Sequence, residues 1–238
     1  MSYAQFRRAS GIGLPDICLE MLADNRGAIK LKKDKTALKN LERIIAATLR
    51  LANQKGFQAM TMRDLAQASG LSMGTLYDCF ASKDELLEML QNAHRRVVSR
   101  VMIEGLAGLA DPEARLAAAV RTHLYLSEAL QPWFFFSYME ARHLSEAEKE
   151  KAKQSELATE RVFAEIVEQG RLSGDFAAVD PELTAAVIKA AVQDWYLKRG
   201  KYARRRISVD RYADFVVAMM VGHCRAGCGR AGLEEIAS

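Results

Sequence analysis

Cysteine is scarce in this sequence. Cys18, Cys79, Cys224 and Cys228 are the four in 238 residues. They are too few and too scattered for a disulfide framework, which excludes a stapled secreted scaffold and points to a reducing, cytoplasmic setting. His223, Cys224 and Cys228 make an H-C-x-x-x-C cluster. A metal would need more ligands in a tetrahedral arrangement, and small residues at a helix end explain the cluster better, so no metal is expected. No apolar run is long enough to span a bilayer. The N-terminus has no apolar stretch after its charges, so neither a membrane anchor nor a secretory signal is expected. A glycine-rich phosphate loop, a His-Glu zinc pair and a nucleophile elbow are all missing, and the carboxylates between Glu140 and Glu168 read as the solvated face of a helix. No catalytic residue and no cofactor is therefore expected. Strand alternation, hairpin signals and internal repeats are also missing, which leaves an all-α chain.

Charge of one sign is not in excess either. Thirty-four basic residues stand against 30 acidic ones, and the net charge is +4. Such a balance does not announce nucleic acid; the distribution does. Arg26, Lys30, Lys32, Lys33, Lys35 and Lys39 crowd one short segment against Asp34 alone, whereas the acids concentrate later. A basic, DNA-facing end and a neutral-to-acidic remainder fit this asymmetry. Half the residues are apolar, enough for one sizeable core or two modest domains.

The stretch from Thr61 to Leu87 dominates what is present. It reads TMRDLAQASGLSMGTLYDCFASKDELL. Thr61 and Asp64 make a helix-starting box, in which the hydroxyl satisfies an early N–H and the carboxylate reaches back. Leu65 and Ala68 share a face, and Gly70 ends this helix in a left-handed turn. Ser72 starts a second helix whose apolar and aromatic residues, Met73, Leu76, Tyr77 and Phe80, fall three and four apart. Ser82 starts a third, with Glu85 completing another box. Small Ala66 and Gly70 let the first two helices cross closely, and Gly74 and Thr75 leave the outer face of the second free of bulk. Two short helices joined by a glycine turn describe a helix-turn-helix, whose second helix enters the major groove. An ordinary αα-hairpin in a bundle is the plainer alternative on pattern alone.

Gly56-Phe57, Thr61, Arg63-Asp64-Leu65-Ala66, Ala68, Gly70-Leu71-Ser72, Gly74-Thr75-Leu76-Tyr77, Phe80, Lys83 and Glu85-Leu86-Leu87 resemble the DNA-binding domain of the TetR (tetracycline repressor) family. The resemblance covers residues 38–90. Asp78-Cys79 departs from the family, which often has an aromatic or His pair there; an acidic Asp78 would repel phosphates. The resemblance implies a three-helix DNA-binding domain over 37–83 and a helical effector-binding and dimerisation domain over 84–238, with 1–36 as an N-terminal extension that is long for the family. It also implies that Tyr77 and Lys83 contact phosphate and that the last two long helices form a four-helix dimer interface.

Chemistry adds to this list. Lys83 lies beside a helix N-terminus, and Thr61 and Arg63 could anchor the phosphate backbone. Ser72, Met73 and Thr75 begin the recognition helix, where base edges are reached; Met73 and Thr75 can touch a thymine methyl. Residues 1–13 are expected to be poorly ordered. The segment with Lys32 and Lys33 reads either as a phosphate-contacting arm or as a solvated tail.

Further helices are expected over 36–54, 82–106, 111–129, 132–139, 145–169, 180–199 and from Ser208 on. Gly170 and Gly200 are expected to stop two of them, and Lys201 to Arg206 to form a basic loop. The aromatic run at 133–138 suggests an effector pocket lined by Trp133, Phe134 and Tyr138, with His123, Tyr125, His143 and Trp195 as polar tips. A packed core or a dimer face is an equally simple reading of that run. Arg204-Arg205-Arg206 could hold an acidic group such as a coenzyme A phosphate. The whole reads as a cytoplasmic homodimer that binds double-stranded DNA and a small, largely apolar or acyl-CoA-like effector, and most simply as a repressor. A sequence-tolerant architectural DNA binder and a helical protein-interaction module are the alternatives.

Overall fold

The computed structural model describes residues 1–27, 29–30 and 33–226. Among them there is no strand. The helices are α1 (Tyr3–Ser10), α2 (Leu14–Asp24), α3 (Asp34–Lys55), α4 (Met62–Ser69), α5 (Met73–Cys79), α6 (Lys83–Leu106), α7 (Pro112–Ala129), α8 (Gln131–Glu140), α9 (Glu146–Ser173), α10 (Pro181–Leu197), α11 (Arg199–Arg204) and α12 (Val209–Ala226). No helix of the described residues is long and apolar enough to cross a membrane. Lys32 and Cys228 lie outside the described residues.

The chain divides into two compact units. The first, here the reading unit, comprises Ser10–Val98 and Ala129–Gln154; the second, the C-terminal unit, comprises Met1–Ala9, Ser99–Glu128 and the chain from Ser155 on. This partition differs from the expected 1–36, 37–83 and 84–238. The reason is long-range packing that no local spacing announces. The aromatic run of α8 is core to the reading unit: the Phe136 ring meets the Phe57 ring edge-on at 5.6 Å, and Gln91 of α6 donates to the Ser137 carbonyl at 3.0 Å. Glu140 accepts the Phe57 N–H at 3.2 Å.

The N-terminus also departs from expectation. Instead of a disordered tail it forms α1, started by a reciprocal box in which the Ser2 N–H reaches Gln5 Oε1 at 2.7 Å and the Gln5 N–H reaches Ser2 Oγ at 3.3 Å. Phe6 is only 4% exposed. In α2, which Pro15 and Asp16 start as their residue types dictate, Ile17, Cys18, Met21 and Leu22 are buried. Burial pushes the Cys18 thiol up to about 12, so it behaves as a small hydrophobe.

The expectations at Gly170 and Gly200 change as well, Gly200 lying inside α11. Gly170 does not stop α9, which runs on to Ser173. A Cβ at Gly170 would lie 2.2 Å from the Phe176 ring, so this glycine serves a close crossing; Gly174, at φ +83, ends the helix instead. Lys201 to Arg204 are not loop but α11. The corner is held by Asp194, which takes Lys198 at 2.7 Å, Lys201 at 2.5 Å and the Tyr202 hydroxyl.

Candidate nucleic-acid interface

The reading unit is built on α3, whose inner face carries Leu41, Ile44 and Ile45, all buried. The α4 start forms as its residues dictate: the Asp64 N–H reaches Thr61 Oγ1 at 3.0 Å, and the Thr61 N–H reaches Asp64 Oδ2 at 2.8 Å. Lys55, at the end of α3, adds an ion pair to Asp64 at 2.6 Å. That hydrogen bond from Lys55, then those from Thr61, hold the Asp64 carboxyl well below the usual carboxylate range.

The turn between α4 and α5 is fixed from both sides. Gly70 sits in the left-handed region at φ +63, and its N–H reaches back to the Ala66 and Gln67 carbonyls. Two arginines of α3 cap the end of α4. Arg43 Nε donates to the Ser69 carbonyl at 2.8 Å and its Nη2 to the Gly70 carbonyl at 2.6 Å; Arg50 donates to the Ala68 carbonyl at 3.2 Å. Cations at a helix C-terminus meet both its free carbonyls and its negative dipole end. A Cβ at Gly70 would lie 2.6 Å from the Arg43 guanidinium, the far end of a flexible side chain that can swing aside, so it is the left-handed φ that calls for glycine there. These arginines escaped the sequence reading; their seven-residue spacing beside the apolar stripe was the available signal.

The recognition helix α5 starts at Ser72, whose Oγ accepts the Thr75 N–H at 3.1 Å and meets Thr75 Oγ1 at 2.9 Å. The two hydroxyls are thus held together at the helix start. Leu76 and Cys79 anchor the inner face, while Ser72, Gly74 and Tyr77 are exposed and Met73 and Thr75 half-buried. Arg63 and Lys33 are exposed as well. The Thr61 hydroxyl accepts the cap bond and is itself hydrogen-bonded to the Asp64 carboxyl. The Asp78 carbonyl accepts the Lys30 N–H at 2.8 Å, so the extension is pinned to the end of the recognition helix.

Lys83 departs from its expected role. Its Nζ donates to the carbonyls of Phe57, Gln58 and Met60 at 3.1, 2.9 and 3.0 Å, and it lies over the Phe57 ring at 5.1 Å. An ammonium has three donors, and all three are used. In this structure Lys83 fastens the α3–α4 turn to the start of α6 and offers no proton to a phosphate. Glu140 holds the N–H of the same Phe57, so the turn that precedes α4 is clamped from two helices.

The expected effector residues are not brought together within either unit. Trp133, Phe134 and Tyr138 belong to the reading unit, His123 and Trp195 to the C-terminal unit. Trp133 and Phe134 are buried and Tyr138 is exposed. His143 is on the short 3-10 turn after α8, 3.8 Å from Glu140. Trp195, 0% exposed, stacks on Tyr202 and Tyr212 at 4.9 and 5.0 Å, and its Nε1 donates to Glu128 at 3.0 Å. Its polar tip is spent inside the core. Arg204, Arg205 and Arg206 are exposed.

A capped helix pair joined at a left-handed glycine, with small polar residues at the exposed start of the second helix, defines a helix-turn-helix DNA-binding module. Residues 44–90 match bacterial regulatory proteins of the tetR family, and residues 109–220 match a tetracyclin repressor-like C-terminal domain. The HTH-type transcriptional repressor KstR2 of Rhodococcus jostii (strain RHA1) is 30% identical over 163 residues, which span 66% of this chain and 78% of that protein. AibR, solved in complex with isovaleryl coenzyme A and operator DNA, superposes with a TM-score of 0.65 at 22% identity, over 74% of this chain and 97% of AibR. FadR of Bacillus subtilis, solved with stearoyl-CoA, gives 0.61 at 18%, over 75% of this chain and 96% of FadR. The chain belongs to the tetR family and is a DNA-binding transcriptional regulator.

Proposed function

We propose that the protein is a homodimeric, effector-released repressor that reads a near-palindromic operator through α5. The observation that carries the DNA reading is the start of α5, where Ser72 and Thr75 hold each other 2.9 Å apart at the end of a helix fixed by Gly70 and Arg43. Met73 and Thr75 reach base edges, and Arg63, Tyr77, Thr61 and Lys33 position the phosphate backbone.

The C-terminal unit supports self-association. Leu183 and Val187 on α10 and Phe215 and Met219 on α12 are large, apolar and exposed, Leu183 by 67% and Phe215 by 65%. Each pair is four residues apart and so shares a helix face. Leu183, Val187 and Met219 also line a hollow of about 560 Å³ with Thr184, Met220 and His223. Such a patch on a single chain marks an interface, and a second copy covers it. Two copies would place the recognition helices one DNA turn, roughly 34 Å, apart.

The effector belongs to the acyl-coenzyme A class or is a comparably apolar chain, as bound by AibR and FadR. Effector binding favours the state in which the two recognition helices leave operator spacing, and DNA affinity falls. A titration of acyl-CoAs from short to long chain against a preformed operator complex tests this. Release by one chain-length class supports the reading; unchanged affinity across the series overturns it. A sequence-tolerant binder and a protein-interaction module are not favoured by the family match.

A further inference from the structure

The extension ahead of the family match, which begins at residue 44, is held at its two ends by different units. Residues 1–9 belong to the C-terminal unit and residues from Ser10 to the reading unit. At the first end, Tyr125 of α7 and Asp210 of α12 form a ledge on which α1 docks. The Tyr3 N–H donates to Asp210 Oδ1 at 2.8 Å, and the Tyr125 hydroxyl reaches the same oxygen at 2.8 Å and lies 3.2 Å from the Met1 carbonyl. The Tyr3 and Phe6 rings lie on the Tyr125 ring at 5.7 and 5.8 Å. At the other end, α2 buries Ile17, Met21 and Leu22, and Asp24 pairs with Arg96 of α6. Ile29 is buried next, and the Lys30 N–H donates to the carbonyl of Asp78, the residue before the last of α5. Only Gly11, at φ +57, Ile12 and Gly13 separate α1 from α2.

We infer that residues 1–27 with Ile29 and Lys30 act as a strap: the Tyr125–Asp210 ledge is a docking surface for the chain's own first helix, and docking there steadies the C-terminal end of the recognition helix. Helices α6 and α9 each run from one unit into the other, and the chain crosses again between Glu128 and Ala129; the strap is a further covalent path between them. With α1 docked, the chain after Gly11 has less freedom. The segment that fastens Lys30 to Asp78 is then ordered before DNA arrives, which lowers the entropic cost of binding. A change in the C-terminal unit that shifts α7 against α12 would undock α1 and loosen α5. The regulatory part rests on the proposed DNA reading; the docking and its reach to Lys30 do not.

Hydrogen exchange followed by mass spectrometry on the full chain, on the chain lacking residues 2–9, and on Tyr125→Phe separates the two. Tyr125→Phe keeps the ring and removes only the hydroxyl, so folding of the C-terminal unit is preserved. In the wild type, α1 amides should be protected. In both variants α2 and Lys30 amides should exchange about tenfold faster or more, while α10 and α12 are unchanged. Free-chain exchange of α1 in the wild type, or unaltered α2 and Lys30 exchange in the deletion, would overturn the strap. Anisotropy on duplex DNA from upstream of the gene then tests its reach. The deletion should bind about threefold to tenfold more weakly, the cost of reordering one or two side chains, with an unchanged salt slope. Equal binding would show that docking does not reach α5. A wild type that binds no DNA would sink the DNA reading and leave the exchange result to decide the strap.

Discussion

Single side chains in the reading unit do more positioning than contacting, and Lys83 is the clearest case. With all three donors spent on carbonyls, Lys83→Ala should lower unfolding stability by about 1–2 kcal/mol in urea titrations and weaken DNA binding at every salt concentration equally. A phosphate contact would instead flatten the salt slope by about one. That flattening is the expected result for exposed Arg63→Ala. Gly70→Ala meets the strain of the left-handed φ, while the Arg43 guanidinium 2.6 Å away must only swing aside. It should cost about 1–2 kcal/mol, read from the same titration, and an unchanged midpoint would show that the turn relaxes freely. Asp64 gives a pH signature. Its folded carboxyl is held low by Lys55 and Thr61, so its contribution is present above the ordinary value of about 3.9. It is lost as pH falls from there toward the depressed folded value. Asp64→Asn should remove this part of the acid sensitivity while keeping a side-chain acceptor for the Thr61 N–H. Parallel acid-unfolding curves for wild type and variant would contradict it.

At the scale of elements, what the sequence makes legible is what local chemistry encodes. The Thr61–Asp64 box, Gly70 as a left-handed stop, the Ser72 cap and the proline starts of α7 and α10 could all be read from neighbours three or four residues apart, and the structure has each of them. The Ser2–Gln5 box was equally local, but its glycine-flanked setting read as a tail. What could not be read depends on partners far along the chain. The run Trp133 to Tyr138 has the composition of a pocket or of a core, and only the Phe57 and Gln91 contacts decide that α8 packs in the reading unit. Gly170 looks like a stop until Phe176 folds back upon it. Arg43 and Arg50 look like solvated charges until α4 ends beneath them. This capping makes α3 the support of the recognition helix. Arg43→Ala leaves two C-terminal carbonyls of α4 without their donor and should weaken operator binding by about tenfold, as one lost charged hydrogen bond would. Arg43→Lys, a point charge without the fork, should recover only part. Full recovery by lysine would mean that charge alone suffices.

The molecule as a whole joins a reading unit to a C-terminal unit with an uncovered apolar face. That face predicts the assembly. Phe215→Glu on α12 should yield a monomer in sedimentation equilibrium and bring operator affinity close to that for random DNA, because one recognition helix then acts alone; a stable dimer with intact binding would place the interface elsewhere. The central claim is that this molecule reads DNA sequence, and fluorescence anisotropy on the duplex upstream of its own gene, beside a random duplex of equal length at two salt concentrations, tests it most directly. The account predicts upstream binding about a thousandfold tighter or more, the ratio typical of specific sites, together with a steep salt dependence for both duplexes. No binding to either duplex at low salt would contradict it.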